Sequence, residues 1–369
     1  MRYRDAEILV AEFGVRLVTE PGYGLSGIAV GRKDEGPITA GEDFCVSGFV
    51  ERKLDGPTLS VINIREFHAL MRDLGGGRLV TGPNDVDVVE IGGPIRLHSF
   101  RGSDHAKPAT VNTQKWFAAP RSGVSICNAT GYPRDLDAGT LGFIVEDGQM
   151  RYLVSNNHVL ARENTANPGE EIVQPGTKDL NGHDIDRLAL HAALVGEFKI
   201  AELFDFIDVR LKTPNGNQTN KVDVAIAKMT ESRSDESHAR HGYGGRLEGF
   251  GPAYRVDKGG KITGSANVNK VGRTSGYTEG YVANVKATIP LQFGKGTAVF
   301  VDQLAVRPGK DNNGVFSTDG DSGAALVTDG HEIVGLIFSG GPRRSLANPI
   351  DEIMRALDAK TGLKLQLVK

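Results

Sequence analysis

Residues 317–341 read STDGDSGAALVTDGHEIVGLIFSGG. Two apolar runs, Ala324–Val327 and Ile333–Phe338, flank the pair Asp329-Gly330, and such a pair between apolar runs is a strong short-range hairpin signal. Immediately before the first run stands Gly320-Asp321-Ser322-Gly323. Glycines on both sides permit a sharp turn and a close approach of another chain. Such a turn could aim the amides of Gly320 and Ser322 at one point. Two convergent N–H donors are what a tetrahedral oxyanion requires, worth roughly 3–4 kcal/mol per donor in acyl transfer. The same four residues also suit an ordinary loop, so the motif alone does not decide.

Outward from this hairpin the pattern recurs. TLGFIV-EDG-QMRYLV at 140–154 has the same strand, Asp-Gly and strand order. Repeated hairpins with little helix predict a β-sandwich or barrel. Ile350, Ile353, Met354 and Leu357 then have helical spacing and predict a terminal helix packed on it. The first hundred residues differ. A short helix is expected over Asp5–Phe13, strands at GIAVG (27–31), FCVSGFVERKL (44–54) and DVDVVEIG (85–92), and a helix over Ile64–Leu74. Asp85–Val89 alternates as a half-buried strand does. Between Ser103 and Gly123 no period survives, and Trp116 is a candidate for docking this stretch onto a neighbour. The expected organisation is a small α/β domain over 1–105, a linker over 106–122 and a β domain with its helix over 123–369. The stretch 230–262, rich in Ser, Arg, Gly and charge, is expected to join two barrels.

Composition narrows the function. The chain has 369 residues, with 43 Lys+Arg against 46 Asp+Glu and a net charge of −3. Without a basic block, nucleic acid is not the expected partner. No stretch reaches the ~18 apolar residues of a membrane span, and the run Ile8–Ala11 is too short for a secretory core. Two cysteines, Cys45 and Cys127, make at most one bridge, so a reducing, cytoplasmic setting is expected. The 48 glycines suit short strands and tight turns.

Two further segments carry chemistry. In RYLVSNNHVLA (151–161) an apolar strand delivers His158 just past its end, although a histidine between apolar neighbours is also a common packing residue. In NKVDVAIAKM (220–229) Asp223 shares a strand face with two alanines. A buried carboxylate needs a partner, and His158 Nδ1 is one candidate. A backbone amide or Lys221 is another, and Asp208 in FDFIDVRL rivals Asp223 for the role.

His158, Asp223 and Ser322 come in that order, each at a predicted strand end. In this order the sequence resembles the trypsin-like, chymotrypsin-fold serine peptidases. NNHVLA stands at their histidine motif, VDVAIA at their aspartate motif, and GDSGAALV with GLIFSGG at their nucleophile and substrate-wall motifs. VGRTSGYTEGYV (271–282) is similar to the Gly-Arg-Thr-x-Gly hairpin of bacterial members. GIAVGRK, FVERKL and DVVEIG are similar to the leading domain of bacterial peptidases related to the plant narrow-leaf proteases. The resemblance covers about 123–355 and implies a mainly β fold: a double six-stranded β-barrel of chymotrypsin type, a small N-terminal α/β domain and a C-terminal helix.

The resemblance also implies an endopeptidase. Ser322 would attack, His158 would carry the proton, Asp223 would fix the imidazole, and the amides of Gly320 and Ser322 would bind the oxyanion. Phe316, Phe338, Ser339 and Gly340 would line the substrate pocket. Phe316 occupies the position where trypsin carries its acidic residue, so cleavage after Arg or Lys is not implied, though Asp311 or Asp319 could reach a pocket. Neither metal nor organic cofactor is expected. His238 and His241 have no companion ligands in sequence. The expected partner is a protein or peptide substrate, conceivably one dedicated target. A catalytically silent binding or scaffold module is the alternative. Digestive members are switched on when a new amino terminus pairs with the acid before the serine, here Asp321. No Ile-Val-Gly-Gly follows the linker, so activation without such a cut is expected.

Overall fold

In a computed structural model, the described residues are all except 21, 34–35, 39–43, 52–63, 75–78, 98–111, 133–135, 181–195, 215, 217, 231–245, 259–261, 264–266, 311–313 and 369. Residues 106–111 of the expected linker, most of the expected inter-barrel stretch with His238 and His241, the end of the expected second strand and Asp311 lie outside them.

The fold is mainly β, with two large sheets and a C-terminal helix. The first sheet uses β5 (Ser125–Asn128), β6 (Gly139–Thr140), β7 (Phe143–Glu146), β8 (Arg151–Ser155), β9 (Glu171–Val173), β10 (Lys199–Phe206), β12 (Ala225–Met229) and the last strand, β22 (Gln366–Leu367). A short helix α3 (Asn157–Leu160) follows β8. The heart of the second sheet is β16 (Asn267–Gly272), β17 (Gly276–Phe293), β18 (Gly296–Pro308), β19 (Ala325–Thr328), β20 (Glu332–Gly341) and β21 (Arg344–Pro349). Helix α4 (Ile350–Thr361) buries Ile350, Ile353 and Leu357 and ends at Gly362, whose φ of +71° supplies the left-handed cap. All three expected hairpins form: β7–β8, β16–β17 and β19–β20.

Each sheet exceeds six strands among the described residues, the first with eight and the second with twelve. Strand β22 extends the first by pairing with β7. The second gains β1 (Gly27–Arg32), which pairs antiparallel with β17, then β2 (Phe44–Val50) and, parallel to it, β3 (Val86–Glu90). The residues read as an α/β unit thus add their strands to the sheet that carries the Gly320–Gly323 turn. Three two-residue strands complete it: β4 (Arg96–Leu97), β11 (Thr219–Asn220) and β13 (Gly249–Phe250).

Two local expectations change. Helix α1 runs Tyr3–Thr19, six residues past Phe13. Gly14 resembles a helix stop in sequence, yet a Cβ there would lie 3.0 Å from Thr288 Oγ1, so it lets the helix sit close to β17. Strand β3 is buried on both faces rather than one, because α2 (Ile64–Leu74) and the sheet enclose it. Cys45 and Cys127 are both free and buried. No helix among the described residues is long and apolar enough to cross a membrane.

Candidate active site

Strand β8 ends where Ser155 turns its hydroxyl onto the carbonyl of Thr140 and Asn156 leaves the ladder in an extended conformation. Helix α3 then presents His158. Its Nδ1 lies 2.6 Å from Oδ2 of Asp223, and its amide donates to Oδ1 of the same carboxylate at 3.2 Å. Asp223 is fully buried. Its backbone is gripped from two directions: Asn156 Nδ2 donates to its carbonyl at 2.7 Å, and its amide donates to Asn348 Oδ1 at 3.0 Å. Gln303 Oε1 accepts from Asn348 Nδ2 at 2.6 Å and fixes that amide's orientation. Asp208, the rival carboxylate, is solvent-exposed. Of the partners left open for Asp223, the His158 ring and a backbone amide, that of His158 itself, both meet its carboxylate, while Lys221 pairs with Asp302 and Glu352.

Burial opposes a charged imidazole, but the Asp223 carboxylate outweighs it and holds His158 above its ordinary pKa of 6.5. Its other nitrogen, Nε2, is buried and has no hydrogen-bond partner among the described residues. A buried polar atom without a partner costs stability. At an otherwise well-bonded residue it marks a place for a transient partner.

The Gly320–Gly323 turn packs on the same short strand, β6, as the segment that carries His158. Thr140 donates its amide to the Ser322 carbonyl at 2.7 Å and its hydroxyl to the Gly320 carbonyl at 2.8 Å. Gly139, its neighbour, packs against Val159, next to the histidine. Ser322 is fully buried, and its hydroxyl donates to the carbonyl of Phe338 at 3.2 Å rather than to His158. The turn needs its glycines for steric reasons. Gly320 and Gly323 have φ of +92° and +91°. A Cβ on Gly323 would lie 2.1 Å from both Ser155 Oγ and Thr140 O, and one on Gly320 would lie 2.3 Å from Thr274 Oγ1. No described residue accepts a hydrogen bond from the amides of Gly320 or Ser322.

Asp321 points away from solvent into a set of donors that sequence reasoning missed. Its Oδ1 accepts from the amides of Thr274 and Ser275 at 2.9 and 3.0 Å. Its Oδ2 accepts from Ser275 Oγ at 2.5 Å and from the Thr318 amide at 2.9 Å. Lys270 Nζ stands 3.5 Å from Oδ2, and both side chains are fully buried. Burial pushes the Lys270 ammonium down while Asp321 draws it up. The carboxylate pays burial too, but the ammonium and four donors hold it below its ordinary range, and we take the pair as ionised at neutral pH. Arg273, from the Gly-Arg-Thr stretch, pairs with Asp179 and so ties the nucleophile-side hairpin to the first half of the fold.

The four residues expected to line a pocket are placed differently from one another. Phe316 is buried in a core cluster with Val282, Val306 and Ile337. Phe338 packs against Phe300, ring centroids 4.9 Å apart. Ser339 and Gly340 pair with β4. A cleft of about 590 Å³ opens instead beside His158, lined also by Asn128, Asp137, Arg162 and Lys295. Behind the histidine, Arg162, Glu163 and Asn164 all have positive φ. For side chains with a Cβ that conformation costs roughly 1–2 kcal/mol per residue. Asn157 and Asn164 hold it by a two-way contact, with Nδ2 of Asn157 donating to Oδ1 of Asn164 at 2.7 Å and the Asn164 backbone amide donating to Oδ1 of Asn157 at 3.0 Å. The late linker docks through Thr113 and Gln114, which both donate to the carbonyl of Arg273, and through the Phe117 amide on Gln174. Trp116 remains 39% exposed.

Among known proteins, no family model and no curated protein matches this chain. Solved structures do. Protease A of Thermobifida fusca is 16% identical with a TM-score of 0.40, over 68% of this chain and 99% of that one. A chymotrypsin of Cellulomonas bogoriensis is 13% identical with a TM-score of 0.38, over 67% and 97%. A Mycobacterium tuberculosis protease in its active form is 16% identical with a TM-score of 0.37, over 71% and 89%.

Proposed function

We propose that the chain is a serine endopeptidase working through Ser322, His158 and Asp223. The observation that carries this reading is the buried His158–Asp223 contact, 2.6 Å long, with the opposite ring nitrogen left unpartnered. In the reaction the Ser322 hydroxyl turns from the Phe338 carbonyl to His158 Nε2, a contact of the kind that tightens only when substrate binds. Oγ attacks the peptide carbonyl, and its proton passes to Nε2. The C–N bond breaks as that proton moves to the leaving amine. Water then attacks the acyl carbon by the same route, giving a proton to Nε2, and that proton returns to Ser322 Oγ as the acyl–serine bond breaks and frees the acid. Asp223 keeps the proton on Nδ1 and stabilises the imidazolium. The amides of Gly320 and Ser322, free of internal acceptors, would receive the oxyanion.

Lys270 takes the place that a new amino terminus would fill at Asp321, which supports activity without an activating cut. A purified full-length chain that is inert until cleaved near Arg121 would contradict this. Buried Phe316 at the expected pocket base supports a specificity other than Arg or Lys, and a restricted processing or regulatory role on one dedicated protein target fits a nucleophile that is not exposed.

A second reading, a silent binding module of the same fold, draws on the Ser322 hydroxyl being engaged by Phe338 rather than by His158. A fluorophosphonate probe separates the two. Covalent modification of Ser322, located by mass spectrometry, is expected for the peptidase, and no modification under any condition would favour the module.

A further inference from the structure

We propose that strand β4 is a built-in occupant of the peptide-binding edge beside Ser322, an inference that rests on the peptidase reading above. One edge of β20 serves three partners in succession. Ile337 exchanges backbone hydrogen bonds with the nucleophile turn, accepting from Gly323 at 2.8 Å and donating to Ala324 at 2.9 Å. The Phe338 carbonyl accepts from Ser322 Oγ. Ser339 and Gly340 then pair antiparallel with Leu97 and Arg96. An extended peptide binds a free sheet edge through its backbone and sets alternate side chains into pockets. On β20 the stretch of edge that leads up to the serine is the one β4 holds.

The side chains of this segment alternate as a bound peptide's would. Ile95 and Leu97 are 9% and 7% exposed and sit in the apolar cluster of Phe300, Phe338 and Leu346. Arg96 between them is exposed. Ser339 Oγ donates to the Arg96 carbonyl at 2.7 Å. Upstream, Arg343 pairs with Glu90 at 3.3 Å, but with Arg343 59% exposed that pair is screened and weak. With two paired residues and two buried aliphatic side chains as its anchors, β4 is short enough for a peptide of the same pattern to compete with it. While it is docked, Ser322 is fully buried and His158 is 5% exposed.

Two consequences follow for the same site. The resting chain has its His158–Asp223 contact made but its edge filled, so access requires β4 to leave. The peptide that replaces it is extended and aliphatic at two positions separated by one residue, the residue between them free to be polar.

The test compares the full chain with Leu97→Asp and Arg96→Pro, using a fluorescent peptide of residues 93–97, Gly-Pro-Ile-Arg-Leu, and a fluorophosphonate. If β4 fills the edge nine-tenths of the time, freeing it should tighten peptide binding and speed labelling of Ser322 by about tenfold. Arg96→Pro keeps the apolar cluster intact and carries the test should Leu97→Asp fail to fold. Peptide binding unchanged within about twofold in a folded variant overturns the inference, whatever the labelling does. Tighter binding with no labelling in any protein retains the strand and ends the peptidase reading.

Discussion

The histidine and the serine sides of this site are held by opposite means. Around His158 the positioning groups are neutral: Asn156 and Asn348 grip the carbonyl and the amide of Asp223, and the Asp223 carboxylate faces the imidazole, with Asp137 and Glu163 adding a weaker pull. Around Ser322 the scaffold is charged: Lys270 and Asp321 lie fully buried beneath the turn and face no reacting group. Neutral positioning groups leave Asp223 the principal partner charge of the imidazole. A charged anchor under the turn fixes a backbone shape, which is what amide donors need. The difference teaches that buried charge here does two separate jobs, raising the pKa of an imidazole in one half and fixing a loop in the other.

The sharpest way to break this comparison is to remove the chemistry from each side in turn. Ser322→Ala should reduce peptide turnover by about 10⁶-fold while leaving thermal unfolding unchanged. Residual hydrolysis within tenfold of the parent would remove the turn from the reaction. Asp223→Asn should cost about 10⁴-fold in kcat by favouring the wrong imidazole tautomer. Asp208→Asn, on an exposed side chain, should stay within about twofold. Kinetics showing the reverse ranking would mean that the wrong carboxylate has been chosen.

Stability should separate the halves next. Lys270→Met leaves Asp321 buried without its cation and should cost about 3–5 kcal/mol in urea unfolding. Asn348→Ala strands one backbone amide and should cost about 1–3 kcal/mol. Equal losses would contradict the contrast between a charged and a neutral frame.

The smallest effects are in pH dependence, and they have opposite signs. His158 is raised above 6.5, so its contribution to stability is complete below 6.5 and is lost as pH rises through its folded value. Asp321 is lowered below 3.8, so its contribution is present above 3.8 and is lost as pH falls through its folded value. Melting temperatures across pH should therefore decline on both flanks. Asp223→Asn should abolish the upper decline alone. Because the neutral imidazole is the base, the acid limb of kcat/KM should lie above pH 6.5 and move down in the same variant. A limb that stays in place would detach Asp223 from His158.

Much of this could be read along the chain because it is local. A hairpin is set by neighbours two to six residues apart, so Asp147-Gly148, Asp329-Gly330 and the 271–282 stretch each announced one, and helix Ile64–Leu74 appeared with the bounds its spacing suggested. The turn around Ser322 was legible from its glycines, although their necessity comes from Thr140, Ser155 and Thr274 rather than from room for a substrate. Lys270 was not legible. In NVNKVG it looks like an outward lysine on an alternating strand, and only the turn folding over it brings in a carboxylate more than fifty residues away.

By itself the amino-acid order determined the periodicities, the turns and the identity of the reactive groups, because these depend on bonded geometry and near neighbours. Tertiary structure alone decided which carboxylate meets His158, that Lys270 rather than a chain terminus meets Asp321, and that residues 96–97 lie against Ser339 and Gly340. Those pairings follow from closing chain segments tens to hundreds of residues apart. The energy that selects one partner over another arises only once both have left water together, and no local pattern encodes that.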